Sequence, residues 1–230
     1  MDLGPRLTRV LGVAEVRELV GGHQSRVFRM VGPNGTPAVA KVLDASMVNR
    51  VELDARLDVT AALAELDPRV CRPLPISGQL VTELVAEAQL RYVICFELAD
   101  GIPPDPARAA DAERMGRTLA ELHSTMRRLP PSPLPLVAAL RAVPAERLPT
   151  GEVNQLLHGD FNVGNLREAN GVVRIFDLDD CGYGPPAFDV ANALFMVLFD
   201  DFARGNAAIY ETFRRSFLAG YRDASGAVLA

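Results

Sequence analysis

The chain has 230 residues, 49% of them hydrophobic, with a formal net charge of −5 and a pI near 5.3. That much apolar material supplies a sizeable core and excludes a disordered chain. The acidic balance argues against a nucleic-acid surface, which would carry a basic stripe, and mildly favours a neutral or cationic small-molecule partner.

Cys71, Cys95 and Cys181 are too few and too far apart for a disulfide framework, and no Cys-x-x-Cys is present; reduced thiols in the cytoplasm are expected. The N-terminus has no basic segment leading into an apolar run, so no signal peptide is expected. The longest apolar run, Val190 to Phe199, is interrupted by Asn192 and is about half the ~20 residues a spanning helix requires. No membrane association is expected.

In chain order, residues 6–20 read as a short helix leading into a strand. A Gly21–Ser25 turn follows, then a strand over Val27–Val31, a Pro33–Thr36 turn and a strand over Ala38–Leu43, together a three-strand meander. From Ser46 to Leu66 the spacing is helical, with Val51, Ala55, Val59, Ala62, Leu63 and Leu66 as the expected stripe, and Asp67-Pro68 stops it. Val70 to Glu83 is punctuated by proline and then extended; Leu90–Phe96 predicts a buried strand. The boundary between a β-rich lobe (1–96) and a helical lobe (102–230) falls in the connector 97–101. Asp111–Met126 predicts an amphipathic helix with Met115, Leu119, Leu122 and Met126 inward. Residues 129–150 are proline-rich, with room for a short helix near Leu136–Val143. Pro185-Pro186 opens a helix from Ala187 to Phe202, and a last helix covers Asn206–Tyr221.

The most informative stretch is His158–Asp189. Asn170-Gly171 is a strong hairpin signal, because a two-residue type I′ turn needs positive φ at both positions. The arm after it, Val172–Phe176, is β-branched and apolar. With that turn Ala169 faces Val172, and counting outward Asn165 faces Phe176, one step from Asp177. Opposed residues in an antiparallel pair sit about 4.5–5.5 Å apart, so a carboxamide and a carboxylate meet at the open end of one hairpin. Asp160 arrives on the loop before it. Such oxygen ligands suit a hard cation such as Mg²⁺ that also holds phosphates.

Phosphoryl transfer needs phosphates held, charge neutralised and a hydroxyl aimed. Asp160 is suited to accept or orient a hydroxyl proton, Asn165 and Asp177 to hold metal, Lys41 to pair with phosphate oxygens, and the Gly21–Ser25 turn, through Gly22 and Ser25, to lie over a nucleotide. His158 is expected to pack behind Asp160 and bond backbone. Asp189 is expected to bond the loop backbone, and His123 to serve the end of its helix. Asp179 would share a strand face with Asp177 if the extension continued. Asp180 reads as solvated; Asp200-Asp201 reads as a solvated helix end, with the lining of an acceptor site for a cation as the alternative.

The pattern His158-Gly159-Asp160 with Asn165, then Phe176-Asp177-Leu178-Asp179 and Phe188-Asp189-Val190-Ala191, resembles the aminoglycoside phosphotransferase family of kinase-like enzymes. Val39-Ala40-Lys41-Val42 with a helix after it, and Phe217–Arg222, fit the same resemblance, which extends over about Leu19 to Arg222. It implies an α+β, bilobal, protein-kinase-like fold, with Asp160 as the catalytic aspartate and Asn165 and Asp177 as Mg²⁺ ligands. It further implies Lys41 on the nucleotide phosphates, and the backbone of Phe96, Glu97, Leu98 and Ala99 against the adenine. The donor would be ATP or GTP and the acceptor a hydroxyl of a small molecule. Glu52, which reaches further than the alternative Asp58, is the expected acid partner of Lys41. The short, proline-rich segment before the catalytic loop argues against a pocket for a large aminoglycoside, and the nine residues after Tyr221 predict a reduced acceptor wall.

Two other functions fit parts of the pattern. A peptide or protein Ser/Thr kinase would use the same chemistry, but no recognisable activation segment lies between Asp177 and Pro185. A nucleotide-binding regulatory module without turnover would not need Asp160, Asn165, Asp177 and Lys41 together.

Overall fold

A computed structural model describes residues 3–19, 25–32, 35–144, 154–205 and 208–226. The chain forms two compact units, Met1–Ala61 with Cys71–Leu98, and Ala62–Val70 with Ala99–Ala230. The division thus falls between Leu98 and Ala99, and residues 62–70, read from sequence with the first lobe, cluster with the second.

The first unit is built on an antiparallel sheet of β1 (Val16–Leu19), β2 (Arg26–Val31), β3 (Pro37–Asp44), β4 (Pro73–Leu74), β5 (Val81–Ala86) and β6 (Gln89–Glu97). Its strand order is β1-β2-β3-β6-β4, with β5 also on β6. Side chains alternate across a strand, and the two faces bury different partners. Phe28, Met30, Ala38, Ala40, Val42, Val93 and Cys95 pack with Leu7 and Leu11 of α1 (Gly4–Leu11). On the other face Leu43, Tyr92 and Ile94 pack with Leu53 and Leu57 of α2 (Arg50–Leu66).

α2 corrects two expectations. The helix starts at Arg50, because Asn49 Oδ1 accepts from the Val51 and Glu52 N–H groups at 3.0 and 3.2 Å; residues 45–47 form a separate 3₁₀ turn. Of the expected stripe Val59 and Leu63 are buried, while Val51 is 73% exposed; Leu53 and Leu57, outside that stripe, are buried as well. Leu53 and Leu57 are the helix residues that pack on the sheet, where leucine offers more area to bury than alanine.

The second unit is mainly helical: α3 (Ala109–Met126), the short α4 (Ala138–Arg141), α5 (Ala187–Ala203) and α6 (Ala208–Ser225). Met115, Leu119, Leu122 and Met126 are buried, as their spacing predicts. α3 and α6 touch backbone to backbone. A Cβ on Gly116 would stand 2.0 Å from the Phe217 carbonyl oxygen, and one on Gly220 2.0 Å from that of Glu113. Two small elements complete the unit: β7 (Gln155–Leu157) pairs with β10 (Gly182–Gly184), and β8 (Leu166–Ala169) with β9 (Val172–Ile175).

Cys71, Cys95 and Cys181 are buried and form no disulfide among the described residues, and burial pushes the Cys95 thiol up to about 12. Among the described residues no helix is long and apolar enough to cross a membrane.

Candidate active site

The loop after β7 carries His158-Gly159-Asp160. Gly159 has φ +85°, and a Cβ there would stand 2.1 Å from the Asp180 carbonyl oxygen. Glycine alone satisfies both the left-handed backbone and the close approach. His158 is fully buried; its Nδ1 accepts from the Asp160 N–H at 3.3 Å and its Nε2 donates to the Phe176 carbonyl at 3.1 Å. The imidazole therefore links the Asp160 backbone to the residue before Asp177, the packing role expected for it.

Asp189, in the first turn of α5, fixes the same loop from behind. Its Oδ2 accepts from the His158 N–H at 2.8 Å and its Oδ1 from the Gly159 N–H at 2.9 Å. Oδ2 also meets His123 Nε2 at 3.0 Å, and His123 Nδ1 meets the Tyr221 hydroxyl at 2.8 Å. His123 is thus a buried link between α3, α5 and α6, not a helix-end partner. Sequence places it only one turn from the end of α3; the partners it meets are 66 and 98 positions away. Burial acts to raise the Asp189 carboxyl, yet the hydrogen bond and charge of His123, the charge of His158 and the His158 N–H together hold it below the usual aspartate range.

Three carboxamides hold the Asp160 carboxylate. Asn162 Nδ2 donates to Oδ1 at 2.9 Å, Asn192 Nδ2 to Oδ1 at 3.1 Å, and Asn165 Nδ2 to Oδ2 at 2.9 Å. Asn162 and Asn165 also donate to the Asp160 carbonyl, at 3.1 and 2.9 Å. The two carboxylate oxygens therefore face different neighbours: Oδ2 the hairpin, Oδ1 the loop and α5.

The hairpin has the register counted from its turn. Asn170 and Gly171 have φ of +53° and +78°, Ala169 opposes Val172, and the Phe176 N–H donates to the Asn165 carbonyl at 3.2 Å. Asp177 comes next, with φ +67°. That left-handed residue ends the extension, so Asp177 and Asp179 do not share a strand face. An aspartate tolerates this conformation better than most side chains.

Asn165 spends its Nδ2 on Asp160, and among the described residues no hydrogen bond reaches its Oδ1, which stays available to a cation. Among the described residues no three His, Cys, Asp or Glu side chains gather as a metal cluster. A cation here would have one carboxamide and one carboxylate from protein and take further oxygens from phosphate and water. That donor set fits Mg²⁺, which is held through few protein ligands and keeps much of its hydration.

In the first unit Lys41 is 7% exposed, opposite Ile94 and Val27 in the sheet, with Nζ 5.5 Å from the Phe96 ring centroid. It lies on the α2 face of β3, by alternation with Ala40 and Val42. Glu52, in the first turn of α2, pairs with Arg56 at 3.1 Å; Asp58 is exposed. Phe96 and Glu97 end β6, and Leu98 follows. The Glu97 N–H donates to the Arg72 carbonyl at 2.9 Å and the Leu98 N–H to that of Pro37 at 3.3 Å, so both donors are spent. Ser25 precedes β2, half-buried; Gly22 and the rest of the turn at 21–24 lie outside the described residues.

Sequence reading passed over Asn162 and Asn192. Asn192 registered only as a break in an apolar run; the available signal was its position three residues after Asp189, on the same helical flank. Asp201, read as solvated, is 3% exposed and accepts from the Tyr210 N–H at 2.9 Å. It satisfies a donor in the first turn of α6, which a pair of adjacent aspartates does not reveal.

The phosphotransferase enzyme family model matches residues 15–145 and 128–229. The chain belongs to this family. With it, the chain is a small-molecule kinase. No curated protein matches the sequence. Among solved structures, this phosphotransferase is similar to the amicoumacin kinase hAmiN in complex with AMP-PNP, Ca²⁺ and Ami (18% identity, 90% of this chain and 72% of that chain, TM-score 0.73). It is likewise similar to a microcompartment-associated aminopropanol kinase (18%, 95% and 79%, TM-score 0.72). The third is aminoglycoside phosphotransferase APH(3'')-Id from Streptomyces rimosus (20%, 100% and 94%, TM-score 0.62). At these identities the likeness concerns the fold, which is kinase-like.

Proposed function

We propose that this phosphotransferase moves the γ-phosphoryl group of ATP or GTP, with Mg²⁺, to a hydroxyl of a small molecule. The observation that carries the reading is the Asp160 carboxylate: held by three carboxamide donors, on a loop whose backbone is bonded by Asp189. A carboxylate fixed this tightly is suited to aim a nucleophile, and aiming is most of what phosphoryl transfer asks of protein.

In the step proposed, the acceptor hydroxyl donates its hydrogen bond to Asp160. Its oxygen forms a bond to the γ-phosphorus, the bond from that phosphorus to the β–γ bridging oxygen breaks, and the electron pair leaves with the nucleoside diphosphate. Asp160 takes the hydroxyl proton. Asn165 and Asp177 would hold Mg²⁺, which when bound neutralises phosphate charge and clamps the triphosphate. Lys41 would pair with phosphate oxygens, with Glu52 on the same side of the sheet as its acid partner. Ser25 and Gly22 would cover the phosphates. Phe96, Glu97, Leu98 and Ala99 would border the adenine, through groups other than the Glu97 and Leu98 N–H. Structural neighbours named for amicoumacin and aminopropanol support a small hydroxylated acceptor.

Replacing Asp160 by Ala is expected to abolish transfer while nucleotide still binds, and replacing Asp177 by Ala to remove the Mg²⁺ dependence of nucleotide affinity. Turnover retained in Asp160→Ala counts decisively against the mechanism.

A further inference from the structure

One flank of α5 is apolar, aromatic and exposed. Phe195 is 59% exposed, Phe199 59%, Phe202 82% and Leu198 38%. Phe195 and Phe199 stack on one another, with ring centroids 6.2 Å apart at 29°. Contiguous exposed apolar surface of this kind marks a binding site more often than isolated surface leucines do.

Its place in the fold says which site. Asn192 starts the same flank and donates to Asp160 Oδ1. Phe195 follows about 4.5 Å further along the helix and Phe199 about 10.5 Å, at 1.5 Å per residue. Helical aromatic side chains lean back over the preceding turn, so both rings tilt toward Asn192 and away from the far end of α5. The other carboxylate oxygen, Oδ2, faces Asn165 and with it the side proposed for metal and phosphate. Phe195 is the i+3 neighbour of Asn192 on the helix surface, so the aromatic flank of α5 begins beside the residue that holds Oδ1. No residue of that flank, Ala191, Asn192, Phe195, Leu198, Phe199 or Phe202, carries charge.

We propose that Phe195 and Phe199 seat the hydrocarbon or aromatic portion of the acceptor alcohol while its hydroxyl reaches Asp160. The substrate class is a small alcohol with an apolar body, in contrast to a polycationic sugar, for which this flank has no carboxylates. Apolar walls with a few converging polar groups are the usual make-up of small-ligand sites. The inference rests on the phosphotransfer reading above and adds the acceptor's chemistry to it.

The test uses the full chain with Mg²⁺ and ATP, and a panel of alcohols in matched pairs. One pair is 2-aminopropan-1-ol and 2-amino-3-phenylpropan-1-ol, which differ by a phenyl group; polyols, sugars and aminocyclitols complete the panel. Wild-type protein is expected to favour the phenyl-bearing member in kcat/KM by about tenfold or more, the scale on which apolar pockets discriminate. The double variant Phe195→Ser, Phe199→Ser brings that ratio close to one. Both positions are exposed, so the fold tolerates polar residues there. Val85→Ser, which removes an exposed apolar side chain from β5 (62% exposed), leaves the ratio in place.

A wild-type ratio near one, or a ratio the double variant preserves, overturns this inference alone. So does a double variant that dissociates a wild-type dimer in light scattering without changing acceptor ranking, which identifies the flank as a contact between copies. Transfer to no alcohol at all, with nucleotide bound, is failure of the phosphotransfer reading and removes the inference with it.

Discussion

Asn192 donates its side-chain amide to the Asp160 carboxylate at 3.1 Å across 32 positions of sequence. Three residues before it on the same helix, Asp189 accepts from the His158 and Gly159 N–H groups. The first turns of α5 therefore hold the loop twice, by its backbone and by the side chain at its tip.

The two grips separate in their effects. Asn192→Ala leaves the loop backbone bonded to Asp189 but frees one side of the Asp160 carboxylate. kcat is expected to fall roughly ten- to a hundredfold, the scale on which a small misplacement of a catalytic group costs rate. Nucleotide affinity, measured by calorimetry, is expected to stay at the wild-type value, and the melting temperature to move little.

Asp189 acts on stability as well. Its two oxygens serve three donors in a fully buried place, and the Asn variant keeps only one acceptor oxygen. The expected cost is roughly 3–5 kcal/mol, as for other buried charges stripped of their match. The pH dependence has a definite sign. The unfolded aspartate protonates near 3.9, whereas the folded one holds its proton only at lower pH. The stabilisation is present above about pH 4 and is lost as acid titrates the folded carboxyl. Urea midpoints from pH 7 to pH 3 are expected to fall more steeply for wild type than for Asp189→Asn.

The α3–α6 crossing has no room for a methyl group. Gly116→Ala and Gly220→Ala each place a Cβ 2.0 Å from a backbone oxygen, so the helices must separate. Each is expected to cost about 3 kcal/mol, the upper range for overpacking, and to lower the melting temperature by roughly 6–12 °C in a chain of this size. The double variant is expected to cost less than the two added, since both relieve the same contact. Calorimetric scans of the three variants check this.

The parts of the site legible in sequence are those set by local rules. Asn170-Gly171 admits one turn type, the turn fixes the register, and the register brings Phe176 to Asn165. Lys41 between apolar neighbours is legible as a mid-strand lysine for the same reason, and its burial comes from the structure. What escaped is long-range. His123 meets Tyr221 and Asp189 only because α3, α5 and α6 pack together, and nothing within its own helix marks it. Asn192 interrupts an apolar run in sequence yet has its partner on another element. The left-handed Asp177 was equally hidden, because a strand pattern continues through it and only the backbone angle reveals where it stops.

The most direct test follows phosphorus itself. Wild-type protein and Asp160→Asn are each incubated with Mg²⁺, ATP and the alcohol panel, and products are read by ³¹P NMR. For wild type, a phosphate monoester resonance is predicted to grow in step with ADP, and neither to grow for Asp160→Asn although it still binds nucleotide. Monoester formed by Asp160→Asn at the wild-type rate, or wild-type protein that yields only inorganic phosphate, contradicts the account.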